Sequence, residues 1–181
     1  MSEIIISKIL EITETIQKEG YEINGTKEVN SIQTLKIDVT KIDFIQEENS
    51  IRDYYTQRQI NTQAIRSLEH NLYEFIYHGL KQSIEQTLYF DKTQDFTSRR
   101  FTFSTTDCIS HVQLLCRLHE TNLIMHIRST DVIKLLPWDF LFACKLIHRI
   151  LSNCGFPPTE KKYVNIHIGS AHYYLKSPVI Y

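Results

Sequence analysis

The chain has 181 residues, a mass of 21.4 kDa and a formal net charge of -1, with 42% hydrophobic and 23% charged residues. These proportions suit one globular domain spanning 1–181 and exclude a disordered tail, a collagen-like rod and a membrane channel. A pI of about 6.7 speaks against a dedicated nucleic-acid binder, which carries a basic excess.

Taken in chain order, residues 3–18 read as a helix. Ile4, Ile5, Leu10, Ile12 and Ile16 form its apolar stripe, Ser2 can cap its start and Gly20 can end it. Asn24-Gly25 is a turn signal. Leu35, Ile37 and Val39 alternate with polar residues as in a strand with one buried side. Residues 40–58 are polar and irregular and read as a loop. Residues 59–88 carry helical periodicity through Ile65, Leu68, Leu72, Phe75, Ile76, Leu80 and Ile84. Phe101 and Phe103 alternate as a short strand. Apolar runs over 111–119 and 123–129 flank Glu120-Thr121-Asn122 as a hairpin. Pro137 suits the first turn of a helix that runs to about Ser152, and Val164, Ile166 and Ile168 form a last strand. Helices and strands in this order, without repeats or a linker, define an α+β domain.

Cys108, Cys116, Cys144 and Cys154 show no zinc-knuckle or redox spacing, so packing is the default role and no metal site is expected. No signal peptide and no run of roughly 20 apolar residues is visible, so the expectation is a cytoplasmic, reducing setting away from membranes.

Four segments carry chemistry-bearing side chains. Ser98-Arg99-Arg100 precedes a strand; adjacent arginines hold a shared anion best from a loop end, and otherwise form a solvated pair. Cys108 is followed by Gln113; a cysteine nucleophile needs a lowered pKa, often from arginine nearby, and otherwise packs. Arg128-Ser129-Thr130-Asp131 offers a charged fork and a hydroxyl, a good phosphate-binding pair, or else a strand-ending turn with a capping aspartate. Gly169-Ser170-Ala171-His172-Tyr173-Tyr174 puts His172 and Tyr174 on one face of an extended segment.

The order and spacing of these segments resemble the thymidylate synthase and pyrimidine hydroxymethylase family. That family has an arginine pair, a catalytic cysteine, a glutamine five residues on and an Arg-Ser-x-Asp segment twenty residues after the cysteine. A Pro-aromatic-Asn/Asp helix start and a Gly-Asp-x-His-x-Tyr segment follow. Cys108, Gln113, Arg128, Ser129, Asp131, Pro137, Trp138 and Asp139 match without a gap, and Gly169, His172 and Tyr174 match after the helix. Residues 25–30 and Tyr73-Glu74-Phe75-Ile76-Tyr77 match more loosely.

The resemblance implies a mixed β-sheet packed with helices, and a pyrimidine nucleotide C5 hydroxymethyl- or methyltransferase. Its substrate would be a pyrimidine nucleoside monophosphate and its one-carbon donor 5,10-methylenetetrahydrofolate. It assigns Cys108 as the nucleophile that adds to C6, and Glu74 to proton transfers through water. Arg128, Ser129 and Asp131 fall in the phosphate-binding segment, with Gln113 beside the nucleotide and His172 and Tyr174 on the sugar hydroxyl. Arg99 and Arg100 would reach the phosphate from the other subunit of a homodimer. Asp139 stands where thymidylate synthases have asparagine and deoxycytidylate hydroxymethylases aspartate. A carboxylate accepts from the exocyclic amine of cytosine, so the implied substrate is dCMP or CMP. The other reading is an acidic residue favoured by the helix dipole.

The chain also departs from the pattern. Ile109 replaces the histidine after the cysteine, Leu135 a glycine, Asn24 an arginine and Ser170 an aspartate. The stretches from Glu74 to Arg99 and from Arg100 to Cys108 are short, the chain runs only seven residues past Tyr174, and Pro178-Val179-Ile180-Tyr181 faintly echoes the family's tail. These departures support a second class, a nucleotide-binding or assembly subunit that has lost catalysis.

Overall fold

The computed structural model describes residues 4–30, 33–91 and 95–175. It is a mixed α+β arrangement of one open sheet and four helices. The strands are β1 (Tyr21–Ile23), β2 (Thr26–Val29), β3 (Gln33–Asp38), β4 (Thr102–Ser104), β5 (Ile109–Cys116), β6 (Glu120–Asp131) and β7 (Lys161–Tyr174). The helices are α1 (Ile4–Glu19), α2 (Phe44–Gln57), α3 (Gln63–Asp91) and α4 (Leu136–Asn153). The sheet order is β1-β2-β7-β6-β5-β4, with β3 pairing the same edge of β7 as β2. Among the described residues only β6 and β7 pair in parallel, and α4 makes the crossover between them.

Local chemistry accounts for most of these elements. Asn24 and Gly25 both hold positive φ (48° and 79°), which closes the β1–β2 hairpin with the twist its strands need. Pro137 lies in the first turn of α4. Ile5, Ile6, Ile9, Ile12 and Ile16 bury one face of α1, while Leu10 is exposed, against expectation. Ser2, the proposed cap, lies outside the described residues. The amides of Ile4 and Ile5 instead donate to the buried carboxylate of Glu47, each at 3.1 Å. An acid there also meets the positive end of the helix dipole.

Two expectations are corrected. Residues 40–58 are not a loop, since most of them form α2. Asp43 caps that helix by accepting from the amides of Ile45 and Gln46. Polar Glu47 and Ser50 share its buried stripe with Ile51, Tyr54 and Tyr55, which masks the apolar period. The β5–β6 turn is Arg117-Leu118-His119, and Glu120 to Asn122 already belong to β6.

Helices α1, α3 and α4 cover one face of the sheet, with α2 packed on α1 and α4. The apolar alternation of Val112, Leu114, Leu123, Met125, Ile127, Val164, Ile166 and Ile168 faces them. The alternation then slips by one residue at neighbouring levels of adjacent strands. On β6 the buried positions step from Ile127 to Thr130, on β7 from Ile168 to Ala171, and on β5 from Ile109 to Val112, where the ladder shifts register. The slip on these three neighbouring strands, with the bulge in the β5–β6 ladder, marks a local kink in this part of the sheet. Gly169 sits at this kink, where a Cβ would come within 2.9 Å of the Arg128 carbonyl oxygen.

Candidate functional site

Near the kink, two contacts pair chemistry-bearing positions, Cys108 with Arg128 and Ser129 with His172. Cys108 is the exposed residue just before β5, and its carbonyl accepts the Arg128 amide at 2.7 Å. Arg128 is exposed, and Ser129 is half-buried with its Oγ 3.4 Å from His172 Nδ1. The His172 ring meets Tyr174 edge-on at 5.8 Å, so this pair shares a face as expected, and Lys134 lies over the Tyr174 ring at 5.4 Å. Arg128 and Lys134 supply positive charge here, and Ser129 and His172 supply hydrogen-bonding groups.

Two aspartates stand beneath this surface. Asp131 is buried and accepts the amides of Ile133 and Lys134 at 2.9 and 3.0 Å. It shapes the turn into α4, and burial raises its pKa despite those hydrogen bonds. Asp139, in the first turn of α4, is also buried. Its carboxylate accepts the Tyr73 hydroxyl at 3.1 Å and the Thr130 hydroxyl at 3.5 Å. Tyr73 and Thr130 were not singled out from sequence. Both adjoin residues that were, Glu74 and Ser129, and that adjacency was the available signal. Tyr55 also went unnoticed. It stacks on Trp138 and donates to the Lys134 carbonyl at 2.5 Å, which steadies the entry to α4.

The remaining positions lie elsewhere. Gln113 Nε2 donates to the Arg99 carbonyl at 3.0 Å, five residues along β5 from Cys108, or roughly 16 Å at about 3.3 Å per residue. Arg99 and Arg100 are exposed at that same end of β5, apart from Cys108 of their own chain. Glu74 forms a bidentate pair with Arg149 at 2.5 and 3.0 Å, and Arg149 lies over the Tyr77 ring.

Glu74 opens onto a cavity of about 470 Å³ between α2, α3 and α4, whose aromatic walls include Tyr73, Tyr77, Trp138 and Phe142. Tyr73 and Phe142 stack at 4.1 Å. Tyr73 thus lines this cavity while bonding Asp139, which bonds in turn to Thr130 beside the kink.

The Arg149 hydrogen bond, ahead of its charge, holds the Glu74 carboxyl below its ordinary value of 4.5. The pair therefore contributes fully above about pH 4.5, and that contribution fades as pH falls and Glu74 protonates. Both side chains are at least a third exposed, so the pair is worth under about 1 kcal/mol. Arg149→Met is expected to lower stability by no more than that at neutral pH and by less at pH 3, as read by urea unfolding at both pH values.

Among the described residues, no helix is long and apolar enough to cross a membrane, and no group of three His, Cys, Asp or Glu is placed to hold a metal ion. None of the four cysteines is in a disulfide; Cys116 and Cys144 are buried, and burial pushes both thiols up. No protein-family model matches the chain, and no curated protein matches it in sequence.

Proposed function

We propose that the chain is a divergent relative of the thymidylate synthase and deoxycytidylate hydroxymethylase family, with a thymidylate synthase-like fold, that binds a cytosine nucleoside monophosphate at the kink. The observation that supports this reading is a pair of contacts at one level of the sheet, the Arg128 amide on the Cys108 carbonyl and the Ser129 hydroxyl against His172, with the next residue, Thr130, bonded to Asp139. Arg128 and Ser129 hold the phosphate, and His172 with Tyr174 holds the sugar. Asp139 accepts the exocyclic amine of the base. The Cys108 thiolate gives its lone pair to C6, and the C5–C6 π pair becomes the nucleophile at C5. When C5 later gives up its proton, the double bond re-forms and the S–C6 bond breaks.

The aromatic walls of the α2–α3–α4 cavity suit a flat heteroaromatic ring, with Trp138 and Tyr73 nearest Asp139. Methylenetetrahydrofolate held there would supply the one-carbon unit. In a homodimer, Arg99 and Arg100 complete the phosphate site of the partner copy; their distance from Cys108 in their own chain supports that role.

The engagement of Glu74 by Arg149 favours the second reading, a subunit that binds nucleotide without turning it over. Tritium release from C5 of dCMP or CMP, with methylenetetrahydrofolate present, separates the two. Release supports the transferase; no release, together with a nucleotide-dependent rise in Tm, supports the binding subunit. In the transferase, Asp139→Asn is expected to shift preference from cytosine toward uracil nucleotides by about ten- to a hundredfold in kcat/KM. An unchanged preference contradicts the role given to Asp139.

A further inference from the structure

Tyrosines from α2 and α3 fasten α4 to its surroundings, and they differ in what they hold. Tyr55 donates to the Lys134 carbonyl, and Tyr77 accepts from the Asn153 side-chain amide at 2.8 Å. Tyr73 donates instead to Oδ1 of Asp139 at 3.1 Å, while the Thr130 hydroxyl reaches Oδ2 at 3.5 Å. The Tyr73 ring lies nearly parallel to Phe142, with 5° between the planes and 4.1 Å between centroids. Phe142 stands three residues after Asp139, so both are on one face of α4. A tyrosine side chain turns about two bonds, and a ring fixed by stacking leaves its hydroxyl little choice of place. Helix α3 thereby delivers one hydroxyl to one oxygen of a buried carboxylate.

Base selection needs more than an acceptor of the right kind. The terminal torsion of an aspartate is broad and roughly two-fold, so a carboxylate that nothing holds swings out of line. A carboxylate has about four lone-pair positions, so one hydroxyl on each oxygen leaves room for an incoming amine. The contact from Thr130 is long for an O–H···O hydrogen bond and the one from Tyr73 is shorter, so Tyr73 is the firmer anchor of the two. Glu74, the next residue on α3, does not share this task, because its carboxylate is held by Arg149.

We propose that Tyr73 is the positioning residue for base selection: its hydroxyl fixes the Asp139 carboxylate in the orientation that accepts the exocyclic amine of cytosine and turns a lone pair toward the O4 of uracil. The proposal rests on the reading above, in which a nucleotide at the kink presents its base to Asp139. Two acceptors that face each other repel, and a held carboxylate cannot turn aside to relieve the contact, so discrimination falls when the anchor is removed. Tyr73 acts through Asp139 and takes no part in the addition of Cys108.

Calorimetric binding of dCMP and of dUMP to the full chain, to Tyr73→Phe, to Asp139→Ala and to the double variant tests this. Tyr73→Phe keeps the ring and its stack on Phe142 and removes only the hydroxyl. The preference for dCMP, read as the ratio of the two dissociation constants, is expected to fall roughly three- to tenfold in Tyr73→Phe with near-UV circular dichroism retained. In the Asp139→Ala chain the same substitution is expected to leave the ratio unchanged, because no carboxylate is left to position. A ratio that Tyr73→Phe does not change, or an equal loss of affinity for both nucleotides, overturns the role of Tyr73 and leaves the nucleotide reading standing. An equal fall in the ratio with and without Asp139 overturns it too, as does loss of the near-UV signal in Tyr73→Phe, which makes the hydroxyl a support of the fold. A wild-type chain that binds neither nucleotide, or binds dUMP as tightly as dCMP, overturns the nucleotide reading together with the proposal.

Discussion

Cys108→Ala is expected to abolish tritium release from C5, a loss on the order of 10³-fold or more. In the proposed chemistry C5 becomes reactive only after a bond forms at C6, so removing the nucleophile removes the route. Cys108 is exposed ahead of β5, so truncating its side chain leaves no buried cavity. The Arg128 amide still finds the backbone carbonyl at residue 108, because that contact does not use the thiol. Unchanged melting with activity lost is therefore the expected pair of results. Activity retained in Cys108→Ala would remove the covalent mechanism.

The second large effect concerns stability. Gly79→Val on α3 is expected to cost about 2–3 kcal/mol, a fall in Tm of roughly 5–10 °C for a chain of this size. A Cβ at Gly79 would land within the ring of Phe103. That ring is held edge-on by Phe75 at 5.2 Å and fills the contact between α3 and β4. Helix propensity opposes the effect, since glycine is the poorer helix former, but only by under about 1 kcal/mol. Phe103→Ala in the same chain is expected to restore part of the loss, because it empties the space the valine needs. Additive losses in the double variant would contradict the packing account. The contact also matters to the site, because β4 follows directly on Arg99 and Arg100.

Strands β3 to β7 and helices α1, α3 and α4 are legible in the sequence because their apolar residues keep a clean period, whereas only the Asn24-Gly25 turn signals the β1–β2 hairpin. Val164, Ile166 and Ile168 announce β7, and Trp138 through Ile150 announce α4. Helix α2 is hidden because Glu47 and Ser50 occupy its buried side, where their work is polar: Glu47 caps α1 from 42 and 43 residues away in the chain. A long-range cap has no local signature, and the local one, Asp43 as an N-cap, is not picked out when 40–58 is read as a loop. The exposed Leu118 made the β5 run look longer than it is and moved the predicted turn. The kink is nearly silent in sequence, since one residue of slip shows only as apolar alternation ending at Ile127 and Ile168.

The site is legible in part. His172 and Tyr174 were placed on one face by alternation alone, and Ser129 proves to be the neighbour of His172. Cys108 and Arg128 meet because β5 and β6 pair in the register that a short hairpin allows. Gln113 and Glu74 were singled out from the resemblance, and local partners hold both: the Arg99 carbonyl and the Arg149 guanidinium. Periodicity does not reveal such partners, because they depend on which helix lies over which strand.

If Cys108 attacks a cytosine nucleotide bound at the kink, a nucleotide that traps the covalent intermediate should mark it. The measurement is the mass of the protein, and of its Cys108 peptide, after incubation with 5-fluoro-dCMP and methylenetetrahydrofolate. Fluorine at C5 cannot leave as a proton, so the bond at C6 should persist. A nucleotide-bearing adduct is expected on the Cys108 peptide and absent from Cys108→Ala. An unmodified Cys108 peptide, under conditions where the nucleotide raises the Tm, would contradict it.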